Sequence, residues 1–147
     1  MEYIGVDLSL TGTGFVKISE DKEIICKNLF NTSSSDKIED RILYIAHEVL
    51  KRVVEENIIY IEGLSFGSMG QKMLELAGLH YYVRSCLSKD GKEFKIIPPT
   101  TLKKYITGKG NCKKNLMLLN VYKKFGIEFD DDNLADAYSL ARMAFDN

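Results

Sequence analysis

The sequence predicts an α/β fold: a mixed five-stranded sheet flanked by helices, in one domain that spans residues 1–147. Three observations lead to this prediction. Three strand-like segments follow one another at the start of the chain, and two further apolar segments each follow a helical pattern. The chain has 147 residues, of which 45% are hydrophobic, enough to form one core. Three antiparallel strands followed by right-handed strand–helix–strand units form a sheet of this kind.

The first half of the chain reads as three strands, a helix and a fourth strand. The three strands are short runs bounded by turn residues, Tyr3–Leu8, Gly12–Ile18 and Glu23–Phe30. Asp36 and Glu39 have the spacing of a helix capping box. The apolar residues behind them recur at helical spacing, which predicts a helix that ends near Asn57. The run Ile58–Ile61, which ends at Glu62, is typical of a buried parallel strand.

The second half reads as helices around one more strand. A helix is predicted over Gln71–Leu87, with His80 on its apolar face, where we expect a core or interface histidine with satisfied hydrogen bonds. Phe94–Ile97 forms the fifth strand, which Pro98 and Pro99 stop. Three further helical segments are predicted at Thr101–Ile106, Lys113–Phe125 and Asn133–Phe145.

Composition excludes several classes of protein. The three cysteines, Cys26, Cys86 and Cys112, are widely spaced and odd in number, which argues against a disulfide scaffold or a zinc finger and fits a reducing cytoplasm. No apolar run is long enough to span a bilayer, and the start of the chain has no secretory signal pattern. We therefore expect a cytoplasmic protein with no membrane partner. We also expect no small-molecule cofactor.

The net charge of −1 hides an uneven distribution of charge. Between residues 94 and 127 there are eight lysines and no acidic residue. These lysines are Lys95, Lys103, Lys104, Lys109, Lys113, Lys114, Lys123 and Lys124. An acidic segment, Glu128–Asp132, follows at once. The pattern fits a solvated basic face beside an acidic turn, or a polyanion-binding surface beside a metal site, and charge alone does not choose between them.

Four acidic residues lie where a carboxylate needs a specific role. Asp7 interrupts the apolar run of the first strand, and Glu62 ends the fourth strand. Asp132 and Asp136 are one helical turn apart at the start of the last helix, so they share a face. Ligands of open α/β sheets bind beyond the carboxyl ends of parallel strands. If the first and fourth strands are parallel neighbours, these carboxylates converge there.

Carboxylates gathered in this way predict a metal site. Like charges raise one another's pKa, and divalent cations relieve the repulsion. Mg²⁺ prefers a few carboxylates together with water and phosphate oxygens, and two such ions about 4 Å apart can hydrolyse a phosphodiester. Simpler roles remain open, because Glu62 could cap its strand and Asp132 could cap the last helix. Asp7 is the hardest to explain without a cation, since burial of an unpaired carboxylate is costly.

At these positions the sequence resembles the RuvC-type Holliday junction resolvases, and in particular their compact phage and prophage branch. Three motifs carry the resemblance: residues 5–14 (GVDLSLTGTG), Ile61-Glu62 and Ala135-Asp136-Ala137. The segment Pro98–Lys104, with Gly108–Gly110 and Lys113-Lys114 after it, is similar to the proline, lysine and glycine segment of the family. Each motif is weak by itself, but their order and spacing over nearly the whole chain are specific.

The resemblance implies an RNase H-like fold, a homodimer and cleavage of branched DNA, four-way junctions above all, by paired symmetric nicks. It implies two Mg²⁺ ions in each active site, with Mn²⁺ as a substitute. Asp7, Glu62 and Asp136 match metal ligands of the family. The cellular members carry another aspartate three residues before the last one, where this chain has Asn133. Asp132 shares a helical face with Asp136 and is the predicted fourth ligand, with Asn133 as a neutral alternative.

The resemblance also implies which residues contact DNA. The predicted contacts are Phe66, Lys103, Lys104, Lys109, Lys113 and Lys114. Lys103 and Lys114 align with two lysines near the scissile phosphate and are predicted to be catalytic, although the neighbouring Lys104 and Lys113 leave this alignment open by one residue. Phe66 lies in the loop that reaches the branch point in the family. Its ring could stack on an unpaired base or simply anchor the loop.

Rival functions fit parts of the sequence. A YqgF-type RNA-processing nuclease would share the fold and the first motif without a commitment to four-way DNA. A non-catalytic module that binds branched DNA would use the lysines but would not need carboxylates at strand ends. An actin-like sugar kinase needs two such domains, and 147 residues are too few. The basic segment and the helix Gln71–Leu87, a predicted dimer seam with a small Ala77-Gly78 pair, favour the resolvase.

Overall fold

The computed structural model describes residues 1–65, 67, 70–111 and 113–147. The strands are β1 (Glu2–Asp7), β2 (Gly12–Ile18), β3 (Ile24–Asn31), β4 (Asn57–Glu62) and β5 (Phe94–Ile97). They form one sheet in the order β3-β2-β1-β4-β5. β1, β2 and β3 are antiparallel neighbours, whereas β4 runs parallel to both β1 and β5. The predicted mixed five-stranded sheet is confirmed.

Helices cover both faces of the sheet. They are α1 (Ile38–Leu50), α2 (Gln71–Lys89), α3 (Pro99–Thr107), α4 (Met117–Phe125) and α5 (Asp132–Asp146), with a 3₁₀ turn at Lys114–Leu116 before α4. One core lies between α1, α2 and the sheet, and a second lies between α3, α4, α5 and the opposite face. Among the described helices, none combines the length and the hydrophobicity that a bilayer crossing requires.

Three details of the predicted helices are wrong. α1 ends at Leu50 and does not reach Asn57, because the side-chain oxygen of Asn57 accepts from the amide of Val54 at 2.8 Å and closes a turn before β4. The residue that caps α1 is Lys37, without a side-chain hydrogen bond, so Asp36 is not the cap. α5 is capped by Asp131, whose Oδ1 accepts from Leu134 N at 3.1 Å, and Asp132 is its first residue.

Two strand glycines let α5 lie directly on the sheet. A Cβ atom on Gly5 of β1 would lie 1.8 Å from the carbonyl oxygen of Ala137, and one on Gly14 of β2 would lie 2.2 Å from that of Asn133. Both distances are far below a van der Waals contact, so only glycine fits at either position. This close approach brings the first turns of α5 to the carboxyl end of β1, where the site lies.

Candidate metal centre

Adjacent strand ends bring Asp7 and Glu62 together. Val6 pairs with Ile61 in the parallel register of β1 and β4, so these acids are the last residues of neighbouring strands. The chain after Glu62 is fixed to β5, because the amide of Gly63 donates to the carbonyl of Ile97 at 2.8 Å. The site therefore rests on the sheet itself and not on a loose loop.

The turn after Asp7 is closed by hydroxyl hydrogen bonds. Thr13 Oγ1 donates to the carbonyl of Ser9 at 2.6 Å and accepts from the amide of Ser9 at 3.0 Å. Thr13 is fully buried. This reciprocal pair fixes the backbone directly beyond Asp7 and holds Ser9 at the edge of the site.

The third carboxylate comes from α5. Oxygen atoms of Asp7, Glu62 and Asp136 all lie within 4.8 Å of one another, and the three residues are half-buried. Three like charges at this separation repel one another, and a divalent cation offsets the repulsion. Carboxylate oxygens are the donors that hard cations such as Mg²⁺ and Mn²⁺ prefer. The residues present therefore fit the predicted metal.

The three acids lie in a cleft of about 320 Å³. Its polar wall includes Ser9, Ser65 and Lys103, and its apolar wall includes Leu76 and Met117. Of the lysines whose side chains are described, Lys103 alone lines the cleft. A cationic side chain in the same cleft as these acids suits an anionic ligand such as a phosphate.

The structure separates the two residues predicted for the fourth metal position. Asn133 lines the cleft, whereas Asp132 is half-buried and does not line it. The metal-ligand role predicted for Asp132 stays a prediction, and Asn133 has the better position. Both residues lie about one helical turn before Asp136, so the packing of α5 on the sheet, and not the spacing, decides which of them lines the cleft.

The remaining predicted DNA contacts lie outside the cleft or outside the described residues. Lys104, Lys109 and Lys113 are exposed on the surface around α3 and its C-terminal loop. Lys114 belongs to the 3₁₀ turn, and its side chain is not among those described. Phe66 also lies outside the described residues. The contacts of these residues with DNA stay predictions.

His80 of α2 also lines the cleft, which the sequence did not predict. It is 2% exposed, and its Nδ1 has no hydrogen-bond partner among the described residues. Burial, with a smaller contribution from Arg84, lowers the pKa of His80 to about 4. The predicted burial is confirmed, but the expectation of satisfied hydrogen bonds is wrong for Nδ1. Helical periodicity in the sequence identifies the buried face of α2. It does not show that this face borders the cleft.

Comparison with known proteins finds relatives of similar sequence. The chain is 25% identical over 124 residues to the crossover junction endodeoxyribonuclease RuvC of Rickettsia bellii, which covers 80% of this chain and 78% of that protein. RuvC of Brachyspira hyodysenteriae is 25% identical over 144 residues, or 94% of this chain and 89% of that protein. No model of a protein family matches the sequence.

Solved structures show the same fold. RuvC of Thermus thermophilus matches with a TM-score of 0.78 at 21% identity, over 99% of this chain and 94% of that chain. The Holliday junction resolvase of fowlpox virus matches with a TM-score of 0.63 at 10% identity, over 99% of both chains. The predicted resemblance to RuvC-type resolvases and the predicted RNase H-like fold are confirmed.

Proposed function

We propose that the protein is a metal-dependent endonuclease that cleaves Holliday junctions and other branched DNA. The grouping of Asp7, Glu62 and Asp136 within 4.8 Å, in a cleft that Lys103 also lines, carries this proposal. The named activity of the relatives, crossover junction endodeoxyribonuclease, matches the chemistry of such a site. Phosphodiester hydrolysis needs the arrangement that this cleft offers, namely hard oxygen ligands and a cation for the phosphate.

The chain's own residues have distinct roles in this reaction. Asp7, Glu62 and Asp136 hold the metal, Mg²⁺ or in its place Mn²⁺. Two such cations, when bound, activate the attacking water and stabilise the charge on the leaving oxygen. Lys103 binds the scissile phosphate from the cleft wall and stabilises the negative charge that grows in the transition state. The carboxylates on the sheet need no rearrangement, because the strand ends and the packed helix α5 fix them in advance.

We assign the fourth metal position to Asn133. Its side chain lines the cleft one helical turn from Asp136, and an amide oxygen is an accepted ligand of hard cations. Its backbone is held against β2 by the close approach of Gly14. A neutral ligand leaves the site less negative than the four-carboxylate arrangement would.

The DNA lies across the lysine surface that surrounds the cleft. Exposed Lys104, Lys109 and Lys113 neutralise backbone phosphates, and Lys114 and Phe66 complete the contacts as the sequence predicts. Lysines of this kind fix the duplex arms without reading their sequence. In this proposal the exposed lysines bind the DNA backbone, and the residues of the cleft carry out the chemistry.

Two active sites related by a twofold axis would produce the paired symmetric nicks, so the working form is a homodimer. α2 supports this proposal because it leaves large apolar side chains in solvent: Leu74 is 64% exposed, Tyr81 58% and Tyr82 42%. Gly78 on the same exposed face lets a partner helix approach closely. Sedimentation should give twice 16.7 kDa at micromolar concentration, and Tyr81→Glu should reduce the protein to a monomer.

A panel of substrates and metals tests the function. Labelled four-way junction, fork, plain duplex and structured RNA are incubated with Mg²⁺, Mn²⁺ or Ca²⁺. We expect paired nicks in the junction with Mg²⁺ and Mn²⁺, binding without cleavage in Ca²⁺, and little cleavage of duplex. Cleavage of RNA alone by a monomer would favour the YqgF-type nuclease, and junction binding without cleavage in any metal would favour the non-catalytic module. A location in the cytoplasm stays a prediction.

A further inference from the structure

One buried polar side chain of α2, His80, belongs to the wall of the cleft. It lines the cleft together with apolar neighbours from α2, Met73 and Leu76. The residue is 2% exposed, and its Nδ1 has no hydrogen-bond partner among the described residues. An enclosed polar atom without a partner destabilises a fold, so a leucine would serve the core better at this position. A buried polar side chain at this position points to a role in the cleft.

The ring has one nitrogen left to act there. Nδ1 is enclosed by protein, so a neutral imidazole is least costly with its proton on Nε2 and Nδ1 as the bare acceptor. The ring, which lines the cleft, then has the N–H of Nε2 as its single donor. A neutral imidazole forms no ion pair with the three carboxylates, and its N–H can donate to an acceptor that enters the cleft.

The class of acceptor follows from what the cleft is built to hold. The carboxylates and Lys103 line the cleft, which suits a nucleic-acid strand in the proposed function. Phosphate oxygens are the acceptors that such a strand offers most often. We propose that His80 donates a hydrogen bond from Nε2 to a phosphate oxygen next to the scissile phosphate and so positions the strand for cleavage. This inference rests on the proposed nuclease function and adds to it a contact on the α2 side of the cleft.

Four proteins test it: wild type, His80→Leu, His80→Gln and His80→Asn. A glutamine amide reaches the place of Nε2, whereas an asparagine amide reaches only that of Nδ1. Loss of a hydrogen bond to a charged acceptor should lower the single-turnover cleavage rate about ten- to a hundredfold in His80→Leu. His80→Gln should recover most of the rate and His80→Asn little of it. The melting temperature of His80→Leu should equal or exceed that of wild type, because an enclosed unpartnered nitrogen is removed.

Modified DNA identifies the contact in a way that a purely structural role would not reproduce. A series of junctions is made, each with one methylphosphonate at a different phosphate that flanks the cut. Their cleavage rates are measured, and their affinities for the protein are measured in Ca²⁺, without cleavage. When the methylphosphonate replaces the contacted phosphate, wild type should cleave the junction more slowly and bind it more weakly. His80→Leu already lacks this contact, so the same replacement should change its rate and affinity little.

The outcomes are distinct. Equal rates for wild type and His80→Leu, additive effects at every phosphate, or a better rescue by asparagine than by glutamine would each overturn the role of His80 and leave the nuclease function intact. Absence of junction cleavage by wild type in any metal would overturn the proposed function itself. If His80→Leu fails to fold, the comparison of His80→Gln with His80→Asn decides the question alone.

Discussion

β1 begins with Glu2 and ends with Asp7, and the surroundings of these two carboxylates at the two ends of the parallel β1–β4 pair differ. At the start of the strands, Glu2 accepts from Lys17 Nζ at 3.0 Å and from Asn57 Nδ2 at 3.1 Å. At the other end, Asp7, Glu62 and Asp136 gather within 4.8 Å. The first end joins a carboxylate to a cation of the protein, whereas the second concentrates like charges.

The difference separates a structural carboxylate from a functional site. Glu2 links β1, β2 and β4, and the hydrogen bond from Lys17 lowers the pKa of its carboxyl group. The cluster at the opposite end is positioned by features that bring negative charges together, namely the parallel register of β1 with β4 and the two glycines under α5. Such an arrangement favours the binding of a divalent cation, whereas the repulsion between the charges does not stabilise the fold.

The largest expected effect comes from the functional end. Asp7→Asn or Glu62→Gln should lower junction cleavage by more than about a hundredfold, because each removes a metal ligand while the lysines that hold phosphate remain. Junction affinity in Ca²⁺ should stay within a few-fold of wild type. Single-turnover assays with Mg²⁺ measure the rates. Cleavage by either variant at the wild-type rate would remove the basis for the metal-site assignment.

Two adjacent lysines of α3 form a matched pair for the next effect. Lys103 lines the cleft and Lys104 is exposed outside it. Lys103→Ala should lower the single-turnover rate at saturating enzyme about tenfold or more, because it loses charge stabilisation in the transition state. Lys104→Ala should keep that rate and reduce the slope of log affinity against log salt by about one unit. Equal rates for the two variants would reduce Lys103 to a backbone contact.

A smaller effect decides the fourth metal position. Asn133→Ala should lower the cleavage rate about tenfold, whereas Asp132→Asn should change it little, because only Asn133 lines the cleft. Cleavage is measured over a range of Mg²⁺ concentrations, where loss of a ligand shifts the midpoint upward. The reverse ranking would assign the ligand to Asp132, as helical spacing alone predicts.

The fold, and the meeting of three of the four predicted acids, could be inferred from the sequence. Strand and helix periodicity shows which residues lie at the ends of these elements. Asp7 and Glu62 mark the ends of adjacent strands, and their meeting follows once the strands are parallel. The choice between Asp132 and Asn133 could not be made, since both lie about one helical turn before Asp136 and only the packing of α5 on the sheet decides which one lines the cleft. The place of His80 at the cleft also escaped prediction, because it depends on how α2 packs across the sheet.

The smallest expected effect belongs to the structural end. Glu2→Gln should leave cleavage unchanged and lower the free energy of unfolding by less than about 1 kcal/mol, since the ion pair with Lys17 is partly exposed. The pKa of Glu2 is lowered from its ordinary 4.5, so its stabilising contribution is present above pH 4.5 and is lost as the pH falls through the lowered pKa of the folded state. Urea unfolding should therefore show a larger difference in stability between wild type and Glu2→Gln at pH 7 than at pH 3.

Metal binding at equilibrium tests the central claim most directly, because it needs no DNA and no turnover. Mn²⁺ binding is measured by electron paramagnetic resonance for wild type, Asp7→Asn and Glu2→Gln. Wild type and Glu2→Gln should bind Mn²⁺ with the same affinity, and Asp7→Asn should bind it at least about tenfold more weakly. Equal binding by Asp7→Asn and wild type would contradict the account, because the cation would then lie somewhere other than the carboxyl ends of β1 and β4.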